Sequence, residues 1–145
     1  PRRTFYTLEA MPWVFPDSPD AYTDLIRAID RPAFAVHLDP VNFVVSPRIY
    51  FKIDELIREC FRKLGPHIKS CHAKDIWMRD DWVSVCLEEV RPGNGAMNYK
   101  LFLEELARLG GGIPLMLEHL RTAEDYRLAA DHIRGKARQA GIAME

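Results

Sequence analysis

The 145-residue sequence sets 20 Lys and Arg against 21 Asp and Glu, and its 48% apolar and 28% charged residues are the composition of one ordinary globular domain. A net charge of −1 with interspersed signs offers no basic field to a polyphosphate backbone, which disfavours bulk nucleic-acid binding. No stretch approaches the roughly 18 apolar residues of a membrane span, no targeting segment is visible from Pro1-Arg2-Arg3 onward, and Cys60, Cys71 and Cys86 form no CxxC pair, so a cytoplasmic protein with reduced thiols and no membrane partner is expected.

Thr4-Phe5-Tyr6-Thr7-Leu8-Glu9 is a β-branched and aromatic run ending in an acid, and it reads as a strand that gives way to the turn-rich Met11-Pro12-Trp13 to Asp17-Ser18-Pro19. Ser18 with Pro19 opens a helix carrying Tyr22, Leu25, Ile26 and Ile29, and Asp30-Arg31-Pro32 stops it. Ala33 to Asp39 is a second strand, apolar enough for burial on both faces and again ending in an acid. After a loop through Ser46-Pro47-Arg48, the segment Ile53 to Leu64 puts Ile53, Leu56, Ile57, Cys60, Phe61 and Leu64 on one helical face, and Gly65-Pro66 ends it. His67 to His72 reads as a third strand, followed by a long loop from Ala73 to Asn98 in which Val83 to Val90 alternates as a short accessory strand. Tyr99 to Leu109 is helical by spacing, Gly110-Gly111-Gly112 caps it, and Ile113 to Glu118 is a fourth apolar strand ending in an acid. Thr122-Ala123-Glu124-Asp125 resembles a capping box into a last helix over Ala123 to Ala140. Strands joined by helices predict an α/β fold of parallel strands with no internal domain boundary.

Each strand ends in a side chain able to hold a metal: Glu9, Asp39, His72 and Glu118, spaced by 30, 33 and 46 residues. Parallel strands point their C-terminal ends to one face, so the four converge. Three carboxylates and one imidazole suit a divalent ion such as Mn²⁺ or Mg²⁺, with Co²⁺ or Zn²⁺ within range. Taken singly, each acid also fits a helix cap or a turn, Asp39-Pro40 above all. The recurrence at the same end of every strand favours a shared site. Lys74, Asp75 and Arg79 follow the third strand and are candidates for orienting substrate oxygens. Trp13 lies in the loop after the first strand, where an aromatic ring can stack on a substrate ring or shield the site from water. The backbone amides of Gly93-Asn94-Gly95 are candidates for approaching a phosphate. His37 shares a strand face with Asp39 and reads as a packed histidine in the layer beneath the metal.

These motifs carry a resemblance. Glu9, His37-Leu38-Asp39-Pro40-Val41-Asn42, Cys71-His72-Ala73-Lys74-Asp75, Pro92-Gly93-Asn94-Gly95 and Leu117-Glu118-His119-Leu120 resemble, in order, the C-terminal half of the xylose isomerase-like TIM-barrel superfamily, in particular its sugar phosphate isomerases and epimerases. The resemblance implies a (β/α)8 barrel and one divalent cation held by Glu9, Asp39, His72 and Glu118. It implies a sugar or polyol substrate, and an isomerase or epimerase in which Glu9 and Glu118 remove and return a proton next to a carbonyl through an enediolate. An inosose dehydratase-like lyase and a non-catalytic sugar-binding barrel remain alternatives. Asn42 is a candidate substrate contact, standing where ketose 3-epimerases carry a histidine. The AP endonucleases, which share the barrel, need a histidine at that place and an Asp-x-His between His72 and Glu118; the sequence has neither, so their activity is disfavoured.

A closed barrel takes about 250 residues, and four strand-helix units make half of one. A half sheet leaves two open edges. The residues are therefore expected to be the C-terminal half of a longer chain, or to associate with another half as a homo-oligomer.

Overall fold

A computed structural model of the chain describes residues 4–144, so the expectation placed on Pro1-Arg2-Arg3 lies outside the described residues. Four strands, β1 (Tyr6–Glu9), β2 (Phe34–Leu38), β3 (Ile68–Ala73) and, after two strands described below, β6 (Leu115–Leu117), form one parallel sheet in the order β1-β2-β3-β6. The helices α1 (Pro19–Ile29), α3 (Ile53–Leu64), α4 (Tyr99–Arg108) and α5 (Ala123–Gln139) pack side by side in the same order. This is the α/β arrangement of a partial TIM barrel.

Local chemistry fixes the helix ends. The side chains of Ser18, Asn98 and Thr122 accept hydrogen bonds from Ala21, Leu101 and Asp125 amides, which satisfies donors that the first helical turn leaves free. Ile57, Cys60 and Leu64 of α3 are wholly buried, and each aliphatic side chain so placed contributes about 1.5–3 kcal/mol. Leu8, Val36, Leu38, Cys71 and Leu117 meet the helices from the sheet. The alternate residues Thr7, Glu9, His37, Ser70, His72 and Met116 face the other way, toward what is the interior of a closed barrel. Met116 on that face is 41% exposed. Among the described residues β1 and β6 each have one neighbour, so both edges of the sheet are open.

Three differences from the sequence expectations concern loops. The segment around Ser46-Pro47-Arg48 holds a 3₁₀ turn over Pro40–Phe43 and a short helix, α2 (Pro47–Tyr50), capped by Ser46. The long loop after β3 folds as an antiparallel hairpin of β4 (Asp75–Met78) and β5 (Leu87–Val90), so the accessory strand is shorter than Val83 to Val90 and has a partner that the sequence did not reveal. The fourth sheet strand spans Leu115–Leu117 and not Ile113 to Glu118, because Pro114 has no amide to donate; its carbonyl still accepts from Cys71 at 2.9 Å. A register shift between Val36 and His37 pairs His37 with Ser70, leaving Lys69 as the extra residue on β3.

Candidate metal centre

The ends of all four sheet strands meet. One ligand atom from each of Glu9, Asp39, His72 and Glu118 lies within 4.8 Å of the other three. His72 Nδ1 stands 3.1 Å from Glu9 Oε1, 2.9 Å from Glu118 Oε1 and 3.8 Å from Asp39 Oδ2. Asp39 serves two roles that looked like alternatives. Its Oδ1 caps the following turn by accepting from Val41 N at 3.0 Å, and its Oδ2 turns to the centre.

Lys74 lies inside this cluster. The loop residue of the sequence reading is 3% exposed, its Nζ is 2.9 Å from Asp39 Oδ2, 3.7 Å from Glu9 Oε1 and in contact with Glu118 Oε1. Tyr99 Oη donates to its carbonyl at 2.7 Å and fixes the backbone. Burial opposes the ammonium charge, but Asp39 and Glu118 outweigh burial and hold the lysine above its ordinary pKa. For Asp39 the balance runs the other way: burial dominates the attraction of Lys74 and pushes the carboxyl up to about 6. Asp39 Oδ2 and Glu118 Oε1 are nevertheless buried without a well-aligned hydrogen bond. Buried acceptors seldom stay so unless an ion or water completes them. The donor set, three carboxylates and an imidazole, fits one divalent cation, which would share Asp39 Oδ2 and Glu118 Oε1 with the Lys74 ammonium.

Asn42 acts on Glu9. Its Nδ2 donates to Glu9 Oε1 at 2.9 Å and to the Ala10 carbonyl at 3.0 Å, which orients the carboxylate. It also lines a cavity of about 460 Å³ beside the centre, together with Trp13, Lys74, Glu89 and His119. Trp13 stands at the rim, 76% exposed.

Two expected substrate contacts are corrected. Asp75 is wholly buried, and its oxygens accept the amides of Ile76, Gly93, Gly95 and Met97 at 2.8–3.0 Å, so it ties the loop before α4 to β4 and has no oxygen left for a substrate. Burial raises its pKa against the pull of those donors. The same bonds occupy Gly93 and Gly95, whose amides are therefore not a phosphate seat. Arg79 is outside the residues lining the cavity. Its guanidinium binds Asp81 and Glu88 and lies over Trp82, 5.2 Å from the ring centroid, which stiffens the hairpin tip.

The sequence reading missed a pair at the cavity rim. His119 has φ of 56°, unusual for a side-chain-bearing residue, and its Nδ1 is 3.1 Å from Glu89 Oε2 of β5 while Nε2 is 3.6 Å from Glu118 Oε2. Adjacency to Glu118 was the only signal available. His37 is buried as expected: its Nδ1 is 2.6 Å from Ser70 Oγ, its ring meets that of His72 edge-on at 4.0 Å, and burial, with His72 nearby, lowers its pKa.

The family model described as a xylose isomerase-like TIM barrel matches residues 5–136. Solved structures with this fold include a xylose isomerase domain protein from Planctomyces limnophilus, with a TM-score of 0.71 and 22% identity over 94% of this chain and 46% of that one. A xylose isomerase-like TIM barrel protein from Mycobacterium smegmatis, solved in complex with magnesium, gives 0.67 and 18% over 91% and 44%. The IOLI protein with a binding zinc atom gives 0.56 and 20% over 94% and 47%. The chain spans a little under half the length of each of these structures. No curated protein matches it. No helix among the described residues is long and apolar enough to cross a membrane.

Proposed function

Since the chain belongs to the xylose isomerase-like TIM-barrel family, we propose that it supplies the metal centre and both proton-transfer carboxylates of an isomerase or epimerase acting on a sugar or polyol ketone. The family is largely enzymatic, sugar isomerases and epimerases among its members. The observation that carries the reading is the meeting of one ligand atom from each of Glu9, Asp39, His72 and Glu118 within 4.8 Å. Magnesium and zinc in two structures of the same fold support a divalent ion here. In this reading the residues are the C-terminal four units of one (β/α)8 barrel, and the remaining units close the sheet edges and complete the substrate pocket.

A divalent ion held by these four residues would withdraw charge from a substrate carbonyl and so acidify the neighbouring C–H. Glu9 and Glu118 then act as general base and general acid on that carbon. Asn42 holds the Glu9 oxygen, so the carboxylate meets the C–H in a fixed orientation and little entropy is lost on reaction. Before an ion binds, Lys74 compensates the carboxylate charge and keeps Asp39 and Glu118 gathered. Trp13 and the β4–β5 hairpin wall the cavity on the sides that the described residues provide.

Deuterium exchange at the α-carbon of ketoses in D₂O tests the proposal in the metal-loaded protein. Glu9→Gln and Glu118→Gln each lose exchange; exchange that survives in both variants refutes it. Loss of water from the substrate, read by mass, would assign the site to a dehydratase. Metal binding with no exchange over a panel of ketoses would make the protein a sugar-binding barrel.

A further inference from the structure

The layer beneath the four ligands holds an unused imidazole. His37 is 9% exposed, and its Nε2 is buried with no hydrogen-bond partner. A ring nitrogen of His37 lies within 4.8 Å of ligand atoms on both Glu9 and His72. The register shift between Val36 and His37 sets His37 opposite Ser70, and Ser70 Oγ stands 2.6 Å from Nδ1. With Nδ1–H donating to that hydroxyl, the lone pair stays on Nε2. Metal-binding histidines recur in this arrangement, one ring nitrogen anchored and the other free.

We propose that His37, His72 and Glu9 form a second seat for the ion, two residues nearer the start of the strands than Asp39. This inference rests on the metal-centre reading above. The two sets share Glu9 and His72, so they are alternative positions of one ion and not a two-metal site. Their donors differ. The outer set offers three carboxylates and one imidazole, which suits Mg²⁺ and Mn²⁺; the inner set offers two imidazoles and one carboxylate, which suits Zn²⁺ and Co²⁺. His37 thereby determines which metals the protein retains.

Metal affinity of the intact protein, measured by chelator competition with Zn²⁺ and with Mn²⁺, separates the seats. His37→Ala lowers Zn²⁺ affinity about 100-fold and Mn²⁺ affinity by less than about threefold, and the visible spectrum of the Co²⁺ form changes as a nitrogen ligand is lost. His37→Asn gives the same split and serves if the alanine variant folds poorly. Ser70→Ala costs Zn²⁺ about tenfold, as expected for loss of the hydrogen bond behind a ligand. Zn²⁺ and Mn²⁺ affinities that fall together, or a Zn²⁺ affinity unchanged in both His37 variants, overturn the second seat and leave the four-residue centre standing. A wild-type protein that binds neither ion overturns both readings.

Discussion

Replacing Lys74 by methionine keeps most of the side-chain volume and removes one charge. The ammonium it deletes is the cation that faces Asp39, Glu9 and Glu118 together, and the lysine side chain is 2% exposed. Removing one partner of a buried ion pair costs about 3–5 kcal/mol, because the remaining charge stays in a low-dielectric site without compensation. For 145 residues an unfolding entropy of about 2.1 cal/mol/K per residue gives about 0.3 kcal/mol per degree, so the metal-free Lys74→Met protein melts about 10–15 °C below wild type. A divalent ion supplies the missing positive charge. At a free Mn²⁺ concentration 1,000-fold above the wild-type Kd, binding contributes about 4 kcal/mol to wild type, and the gain at that concentration is larger in the variant, where no ammonium competes for Asp39 and Glu118. Thermal unfolding with EDTA and with Mn²⁺ measures both quantities. An equal loss of Tm in the two conditions would mean that Lys74 only packs, and no loss in EDTA would remove it from the centre.

Asn42→Ala deletes the donor to Glu9 and leaves the buried Ala10 carbonyl unpaired, so it destabilises by about 1–3 kcal/mol and weakens Mn²⁺ binding about 10–100-fold, read by urea unfolding and chelator competition. In metal-free buffer, Asp39 is displaced from a usual value near 4 to about 6, which is worth about 3 kcal/mol. Its folded pKa is the higher one, so this stability is present below about pH 4 and is lost as pH rises through about 6. Asp39→Asn flattens that stretch of the stability profile, and a profile that keeps its slope in the variant rejects the assignment. Gly95→Ala drives a methyl group into Asp75 Oδ1 and the Ile76 carbonyl and costs about 1–3 kcal/mol, whereas Gly111→Ala, with nothing within 4 Å of its Cβ, is neutral or stabilises by about 0.4–1 kcal/mol.

The parts of the fold that were readable are those set by near neighbours in the chain. The α3 helix occupies Ile53–Leu64 as its apolar spacing predicts, and Ser18 and Thr122 open α1 and α5 because a cap needs only a side chain and an amide three residues on. The hairpin is different. Asp75-Ile76-Trp77-Met78 has no alternation of its own; it is a strand by pairing with Leu87–Val90, and its first side chain is held by amides 18 to 22 residues away, at Gly93, Gly95 and Met97. No local pattern announces such a bond. Two glycines and an aspartate at that separation became legible only once the loop was closed.

The site divides along the same line, and the division explains which roles moved. A parallel sheet carries the last residue of every strand to one face, so a period of one strand and one helix was enough to bring Glu9, Asp39, His72 and Glu118 together. Lys74 and Asp75 read alike, as candidate substrate contacts, because the sequence does not show what meets them. Lys74 is buried by carboxylates from three other strand ends, and Asp75 by backbone amides, so adjacent residues of like appearance have opposite tasks, one within the centre and one in the scaffold. Alternation along β3 supplies the missing rule: His72 and Lys74 share a face and Asp75 takes the other. Applied one step earlier, it places Ser70 behind His72 and opposite His37. The face that holds the ligands therefore continues down the sheet as a polar column, Lys74, His72, Ser70 and His37, where a barrel interior is ordinarily filled with branched apolar side chains. A polar column in that position costs stability unless its groups are satisfied: Ser70 Oγ meets His37 Nδ1, Lys74 meets Asp39 and Glu118, and an ion at the proposed centre would complete the acceptors that remain.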